Sequence, residues 1–360
     1  ELGEAVEYAH ARGVKLYVTV NTMPHTCEYE RLKKYLIRLN ELGVDALIIS
    51  DLGVFTLARE IIPDMEIHIS TQASTVSAFT ATAWHKMGAK RVVLARELSL
   101  AEINEIRQNT PKELELECFV HGSMCISYSG RCLLSNYYTG RDANRGACAQ
   151  PCRWKYAIME EKRPGFYLPI GEDHSGTYIM NARDMCMIEH IPEMIEAGIT
   201  SFKIEGRAKS AYYVAVVTNA YRQAIDDYFE SEEKYRANMD WYKAEISKCT
   251  YRQFTTGFFF GKPDENTQIY DSNTYNKEYT YLGIVQVTED GKYEIEQRNK
   301  FLVGEEIEVM KPDGRNISVI VKGITDEKGV AMESAPHPKQ VLYVDLGIEV
   351  DEYDILRRQE

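Results

Sequence analysis

The sequence has no apolar run approaching the ~18 residues that a membrane-spanning helix needs, so no helix is expected to cross a bilayer. It also lacks the basic start and apolar core of a signal peptide. The chain opens Glu1-Leu-Gly-Glu-Ala, so nothing argues for export and a cytoplasmic protein is expected. No strand-like run is followed by Gly-x-Gly-x-x-Gly, which removes the common dinucleotide fingerprint. There is no His-Glu-x-x-His helix and no Gly-x-Ser-x-Gly elbow, the usual carriers of metalloprotease and serine-hydrolase chemistry. Asp173-His174-Ser175 is contiguous, whereas triad members converge from separate segments. Positive charge is scarce too: 42 Lys and Arg against 55 Asp and Glu leave −13 over 360 residues. Such a molecule repels polyanions at long range, and a nucleic-acid reader of this balance needs a segregated basic patch.

What is present is ordinary globular composition, 44% apolar and 27% charged, over a length that accommodates two domains. Lys15–Val20, Ala46–Ile49, Glu66–Ser70, Arg91–Leu94, Leu114–Val120 and Ser201–Ile204 read as strands. Tyr29–Leu42, Val54–Ile62 and Ala73–Met87 carry helical periodicity between them, and helices are expected at Cys186–Ala197 and Ala211–Glu230. This βα rhythm predicts an α/β fold, a (β/α)8 TIM-type barrel, with polar residues gathered where strands end. The chain opens on a helix, Glu1–Ala11, with no strand before it, so the barrel is expected to be N-terminally incomplete. After Asp264 the apolar period changes to two, and Asp290-Gly, Asp313-Gly and Lys328-Gly supply turns, which predicts a small C-terminal antiparallel β-barrel. The expected division is a barrel over 1–230, with a Cys-, Arg- and Tyr-rich insertion at about 122–180, a connection over 231–274, and the β domain over 275–360.

Eight cysteines stand at 27, 118, 125, 132, 148, 152, 186 and 249, six of them between 118 and 186. In a chain without an export signal, such clustering points to metal or redox chemistry rather than disulfides. Cys148 and Cys152 alone have the close spacing of a zinc knuckle, while scattered thiolates on loops suit an iron–sulfur cluster at least as well. Cys27, Cys118 and Cys249 are expected to be packing residues, which leaves Cys125, Cys132, Cys148, Cys152 and Cys186 as ligand candidates.

The run Glu117-Cys-Phe-Val-His-Gly-Ser-Met-Cys-Ile-Ser-Tyr-Ser-Gly-Arg-Cys-Leu-Leu-Ser135 resembles the signature of the collagenase-like peptidase family of unknown catalytic type, peptidase family U32. Gly146-Ala-Cys-Ala-Gln-Pro-Cys-Arg-Trp154, Asn181-Ala-Arg-Asp-Met-Cys186 and Ser201-Phe-Lys-Ile-Glu-Gly-Arg207 are similar to the same family. The resemblance spans essentially the whole chain, and departs at the amino end, where members carry further βα units. It is strongest to the branch that hydroxylates the wobble uridine of tRNA at its 5-position with prephenate as co-substrate; sister branches hydroxylate ubiquinone precursors without dioxygen. It implies a [4Fe–4S] cluster held by Cys125, Cys132, Cys148 and Cys186, with Cys152 an alternative to Cys148. Two other readings stay open: a collagenase-like peptidase, and a non-enzymatic RNA-binding protein with a structural metal.

Two charged constellations fit the RNA reading. Residues 131–163 hold Arg131, Arg141, Arg145, Arg153, Lys155, Lys162 and Arg163 against Asp142, Glu160 and Glu161. Tyr137, Tyr138, Trp154 and Tyr156 are interleaved with them and Tyr128 lies just before, the residue types that contact phosphates and stack on bases. Lys203 and Glu205 alternate along one strand and Arg207 follows its end. They form either a clamp for the two carboxylates of prephenate or a structural Lys–Glu pair. His121, just past a strand end, is a candidate for a role at the substrate; Arg96, Gln72, Glu97 and Asp51 belong to the same rim.

Overall fold

The computed structural model describes residues 1–125, 127–154, 157–159, 167–169, 181–207, 209–261, 268–269, 276–288 and 293–360. Asp173-His174-Ser175 and the charges at 155 and 160–163 lie outside the described residues. The chain forms two compact units. One comprises 1–205 with 254–273, the other 206–253 with 274–360. The expected barrel boundary at 230 and the connection at 231–274 are therefore both cut differently.

In the first unit, β1 (Tyr17–Val20), β2 (Ala46–Ile49), β3 (Glu66–Ile69), β4 (Arg91–Val93) and β5 (Glu115–Ser123) pair in parallel in chain order. Between them run α2 (Tyr29–Glu41), α3 (Leu52–Ile61), α4 (Ala78–Lys86) and α5 (Leu100–Gln108); α1 (Leu2–His10) precedes β1. All four residues of β2 are buried, as a strand covered on both faces requires. Helix starts follow local chemistry. The Asp51 carboxylate caps α3 by accepting from the Val54 amide at 3.0 Å, and Ser77 caps α4. The sequence reading passed over α5, although Ser99 and Glu102 form a capping box at its start.

Among the described residues the sheet is open. It runs from β1 through β5 to the strands Asp184–Cys186 and Phe254–Thr255, while Ser201–Ile204 also pairs with β5. This is the parallel α/β sheet that the βα rhythm predicted. One element differs from expectation: Cys186 ends a strand instead of opening a helix. Asp184–Cys186 pairs antiparallel with the end of β5, and the helix begins only at Ile191, after a 3-10 turn over Ile188–His190. Backbone pairing offered by β5 outweighed local helical periodicity.

In the second unit the helix Ala211–Glu230 starts on Ser210, whose hydroxyl accepts from the Tyr213 amide, and buries Tyr213, Val216, Val217, Ala220 and Ala224. The antiparallel sheet runs in the order Asn316–Ile320, Glu306–Met310, Ile355–Gln359, Tyr279–Val287, Tyr293–Gln297, Val341–Asp345, Gly323–Thr325, Ala331–Met332. Its two end strands do not pair among the described residues, so it is a half-barrel. Its inward positions, including Leu282, Val285, Ile307, Val309, Leu342 and Leu356, make one core. Arg357 is fully buried on the same sheet. It is held by Glu245 at 2.6 Å and Glu308 at 2.6 Å, and Lys248 reaches Glu308 at 3.0 Å. Replacing Arg357 by Met leaves the buried Glu245 carboxylate with Lys248, 3.2 Å away, in place of two cations, and is expected to lower stability by about 3 kcal/mol in urea denaturation, the low end for a broken buried pair. An unchanged midpoint would show that the pair contributes nothing.

Candidate active site

At the carboxyl ends of β1 to β5 the loops are stitched to one another by polar side chains. Asn21 Nδ2 donates to Ser70 Oγ at 3.2 Å, and Ser50 Oγ donates to the Asn21 carbonyl at 2.8 Å. Thr71 Oγ1 donates to the Leu94 carbonyl at 3.1 Å, and Arg96 Nη1 to the Ser123 carbonyl at 2.7 Å. The rim expected from sequence is thus a connected belt. Gln72 belongs to it: its side chain lies against Gly130, where an added Cβ would come within 3.0 Å of it, so the loop after β3 meets the cysteine-rich segment.

β5 outruns β4 by several residues, and the excess recruits two more strands. Ser201–Ile204 pairs in parallel, with Lys203 opposite Phe119 and Ile204 opposite His121 across a register shift. Asp184–Cys186 pairs antiparallel, with Cys186 opposite His121. The Glu205 amide then donates to the His121 carbonyl at 2.9 Å. Three predicted site residues distant in sequence, His121, Cys186 and Glu205, are thereby set side by side. Cys125 follows two residues after β5 ends. His121 is buried, its ring 5.6 Å from that of Phe254. Gly122 makes this junction possible. Its φ is +111°, and a Cβ there would stand 2.6 Å from the Glu205 carbonyl oxygen.

The charges sort themselves differently from the pairing expected. Lys203 is bonded to Glu117 at 2.8 Å, in preference to Glu205, its neighbour on the strand. Glu117 is buried and also accepts from Arg91 Nη1 at 3.0 Å and Ser201 Oγ at 2.9 Å, while Arg91 Nε reaches Glu115 at 2.8 Å. Burial works to raise the Glu117 pKa; Lys203, Ser201 and Arg91 outweigh it and hold the carboxyl below its ordinary range. Arg96 and Lys203 both address the Phe119 ring, the guanidinium carbon 3.8 Å and Nζ 5.5 Å from its centroid. Two half-buried cations therefore stand near one aromatic ring at this end of the sheet. Arg207, expected in the clamp with Lys203, lies on an exposed turn in the second unit.

The cysteines divide as chemistry requires, with one exception. Cys118 and Cys249 are buried, and burial pushes the Cys249 thiol up to about 12. Cys27 is exposed on the 3-10 turn Thr26–Glu28, so it is not a packing residue. Cys125, Cys132, Cys148, Cys152 and Cys186 are in no disulfide and are exposed or half-buried, and Cys148 Sγ accepts from the Gln150 amide at 3.3 Å. As donors they suit an iron–sulfur cluster. Their arrangement does not yet fit one: among the described residues no three His, Cys, Asp or Glu side chains stand close enough together to hold a metal ion. Loop ligands are commonly drawn together only by the metal itself.

Of the expected RNA contacts, Arg131 and Arg141 are exposed and make no ion pair among the described residues. Arg145 is engaged. It binds Glu28 through both nitrogens at 3.0 and 2.8 Å, and this guanidinium, with the His25 amide, holds the Glu28 carboxyl at about 2. The pairing thus persists at any pH above that value and is lost only as pH falls through it. The side chain of Arg153 lies outside the described residues.

Comparison with known proteins places the chain. The profile of Peptidase family U32 matches residues 1–269, and that of the Peptidase family U32 C-terminal domain matches 277–357. The chain belongs to peptidase family U32. Within the family it is 37% identical over 360 residues to tRNA hydroxylation protein P1 of Bacillus subtilis, covering 99% of this chain and 84% of that one. It is 36% identical to tRNA hydroxylation protein P of Escherichia coli, covering 92% of this chain and 81% of that one. A 23S rRNA 5-hydroxycytidine synthase of Escherichia coli is 38% identical over 231 residues, covering 64% of this chain and 33% of that one. The profile of the family's C-terminal domain falls on the segment in which apolar residues alternate at period two.

Two substitutions test the geometry of this U32 site. Glu117→Gln leaves Lys203 and Arg91 without their shared anion and is expected to cost about 3–5 kcal/mol in urea denaturation. Because the Glu117 pKa is lowered on folding, its contribution is present above the ordinary carboxylate range and fades as pH falls below it; wild type and variant should therefore converge in acid. Gly122→Ala forces a strained backbone against Glu205 and is expected to cost about 1–3 kcal/mol. A wild-type melting curve for Gly122→Ala would refute the close approach.

Proposed function

We propose that this chain is an RNA-modifying hydroxylase acting at the 5-position of a tRNA uridine, with prephenate as co-substrate and a [4Fe–4S] cluster as cofactor. The observation that carries the reading is the junction at the end of β5. There Cys186 and Glu205 are registered against His121, with Cys125 just beyond, and Arg96 and Lys203 both lie near the Phe119 ring. The names of relatives that cover most of this chain support the RNA substrate, and the −13 balance is consistent with one only because positive charge is concentrated locally.

Each element has a physical role in this reading. Arg96 and Lys203 offer cationic partners for a small dicarboxylate, Arg96 more freely, since Lys203 already shares Glu117. Gln72, on the same rim, is placed to hydrogen-bond a polar ligand. His121, buried between two paired strands, positions the junction. The thiols Cys125, Cys132 and Cys186, with Cys148 or Cys152, would hold the cluster, whose contribution is electron transfer or Lewis acidity. A tRNA substrate supports a cytoplasmic location; among the described residues no helix is long and apolar enough to cross a membrane.

The test is expression in a bacterium deprived of its own tRNA hydroxylation proteins, followed by mass spectrometry of digested tRNA. A hydroxylated uridine is expected with the wild-type chain and not with Arg96→Ala or Cys186→Ser. Anaerobically purified protein should show the broad visible absorbance of thiolate-ligated iron. That iron should be lost on substituting Cys125, Cys132 or Cys186 and retained on substituting Cys27 or Cys249. Cleavage of gelatin without any hydroxylated nucleoside would instead establish a peptidase, and a colourless zinc protein a structural metal.

A further inference from the structure

Residues 127–154 fold into a small, locally anchored structure around a helix at Leu134–Thr139 and a 3-10 turn at Pro151–Arg153. The Ala149 amide donates to Ser135 Oγ at 2.9 Å, which fastens the turn's approach to the helix. Asn136 Nδ2 bonds Asp142 at 2.7 Å, and Arg145 ties the following loop to Glu28. On this frame three aromatic rings touch. Tyr137 meets Tyr138 edge-on at 5.2 Å between centroids, and Tyr138 meets Trp154 at 6.3 Å.

Rings that pack together ordinarily do so to leave water. These do not: Tyr137 is 81% exposed, Tyr138 46% and Trp154 45%, with Leu133 beside them at 78%. An exposed aromatic group on a braced frame marks a contact surface. Its electrostatics select the partner. Arg131 precedes the helix by three residues and Arg141 follows it by two; both are exposed and neither is in an ion pair among the described residues, whereas the nearby Asp142 and Glu28 are already engaged. Cys132, Cys148 and Cys152 lie on the same frame, so a ligand on the rings is brought beside candidate thiols.

We infer that Tyr137, Tyr138 and Trp154 form a stacking platform for unpaired RNA bases, with Arg131 and Arg141 holding the adjoining phosphates. This rests on the RNA reading above and narrows it to single-stranded RNA, such as a loop, rather than duplex. An aromatic ring accepts the face of any base, but a base within a duplex already has its faces covered. The platform explains why arginine and aromatic residues alternate here in a chain that is otherwise acidic.

The experiment is equilibrium binding of the full chain to a single-stranded oligouridylate and to a blunt RNA duplex of equal length. Trp154→Ala and Tyr137→Ala are each expected to weaken single-strand binding roughly tenfold. Trp154→Phe and Tyr137→Phe should restore most of it, and duplex binding should not change. Arg141→Gln should flatten the salt dependence for single strands by about 0.7 in the log–log slope. Unchanged single-strand affinity in both alanine variants, equal losses for strand and duplex, or no single-strand binding by wild type would each overturn the platform. The readout is binding, so it is independent of hydroxylation. A chain that modifies tRNA yet binds normally as Trp154→Ala refutes the platform alone. One that shows the selective loss but modifies nothing refutes the hydroxylase alone.

Discussion

One buried carboxylate, Glu117, sets the register on which the site depends. It stands in β5 and accepts from Arg91 of β4 on one side and from Ser201 and Lys203 of the adjoining strand on the other. An ionised carboxyl taken out of water is costly unless such donors surround it, so any slip of either neighbouring strand would leave charge uncompensated. A one-residue shift would also turn each side chain to the opposite face of the sheet. The network therefore specifies which residue of Ser201–Ile204 stands beside which residue of β5. Lys203 is committed to it, and this distinguishes Lys203 from Arg96, whose guanidinium rests on Phe119 and a backbone carbonyl.

From that register the junction at His121 follows. β5 extends beyond β4, and an extended strand with unpaired backbone groups must satisfy them. Asp184–Cys186 and the Glu205 amide do so, and they bring the backbone of Cys186 and Glu205 alongside His121. Gly122 removes the one side chain that would obstruct this approach. The fold thus assembles functional groups as a consequence of backbone satisfaction, and the chemistry is placed where the parallel strands end, the usual location in α/β sheets.

The described cations fall into two settings. Of the cations near Phe119, Lys203 is countered by Glu117, whereas Arg96 rests on the ring and donates to the Ser123 carbonyl. The exposed arginines around Leu134–Thr139 stand in solvent, where they interact weakly one at a time and collectively only with a polyanion. Arg145 looks like a member of the second group in sequence, yet Glu28 converts it into a brace. Its contribution to such a surface is mechanical.

Secondary structure was legible from pattern alone: β2, Ser201–Ile204 and Ala211–Glu230 have the bounds that periodicity predicted. So were the strand-end location of polar residues, the period-two domain, and the burial of Cys118 and Cys249, because each depends on local alternation or on residue type. The family was legible as well, since its motifs are short and contiguous. What local pattern does not contain is partnership between distant segments. Cys186 read as the start of a helix because its neighbours have helical spacing; only the free end of β5 made it a strand. A pair of Lys203 with Glu205 was one of two arrangements the sequence allowed, because they share a face two residues apart, yet Lys203 is bonded to Glu117, 86 positions away. Likewise, residue type alone suggests packing for Cys27, which is exposed, and does not announce the pairing of Arg145 with Glu28. Burial and ion pairing are decided by which surfaces meet, and that is a property of the folded chain.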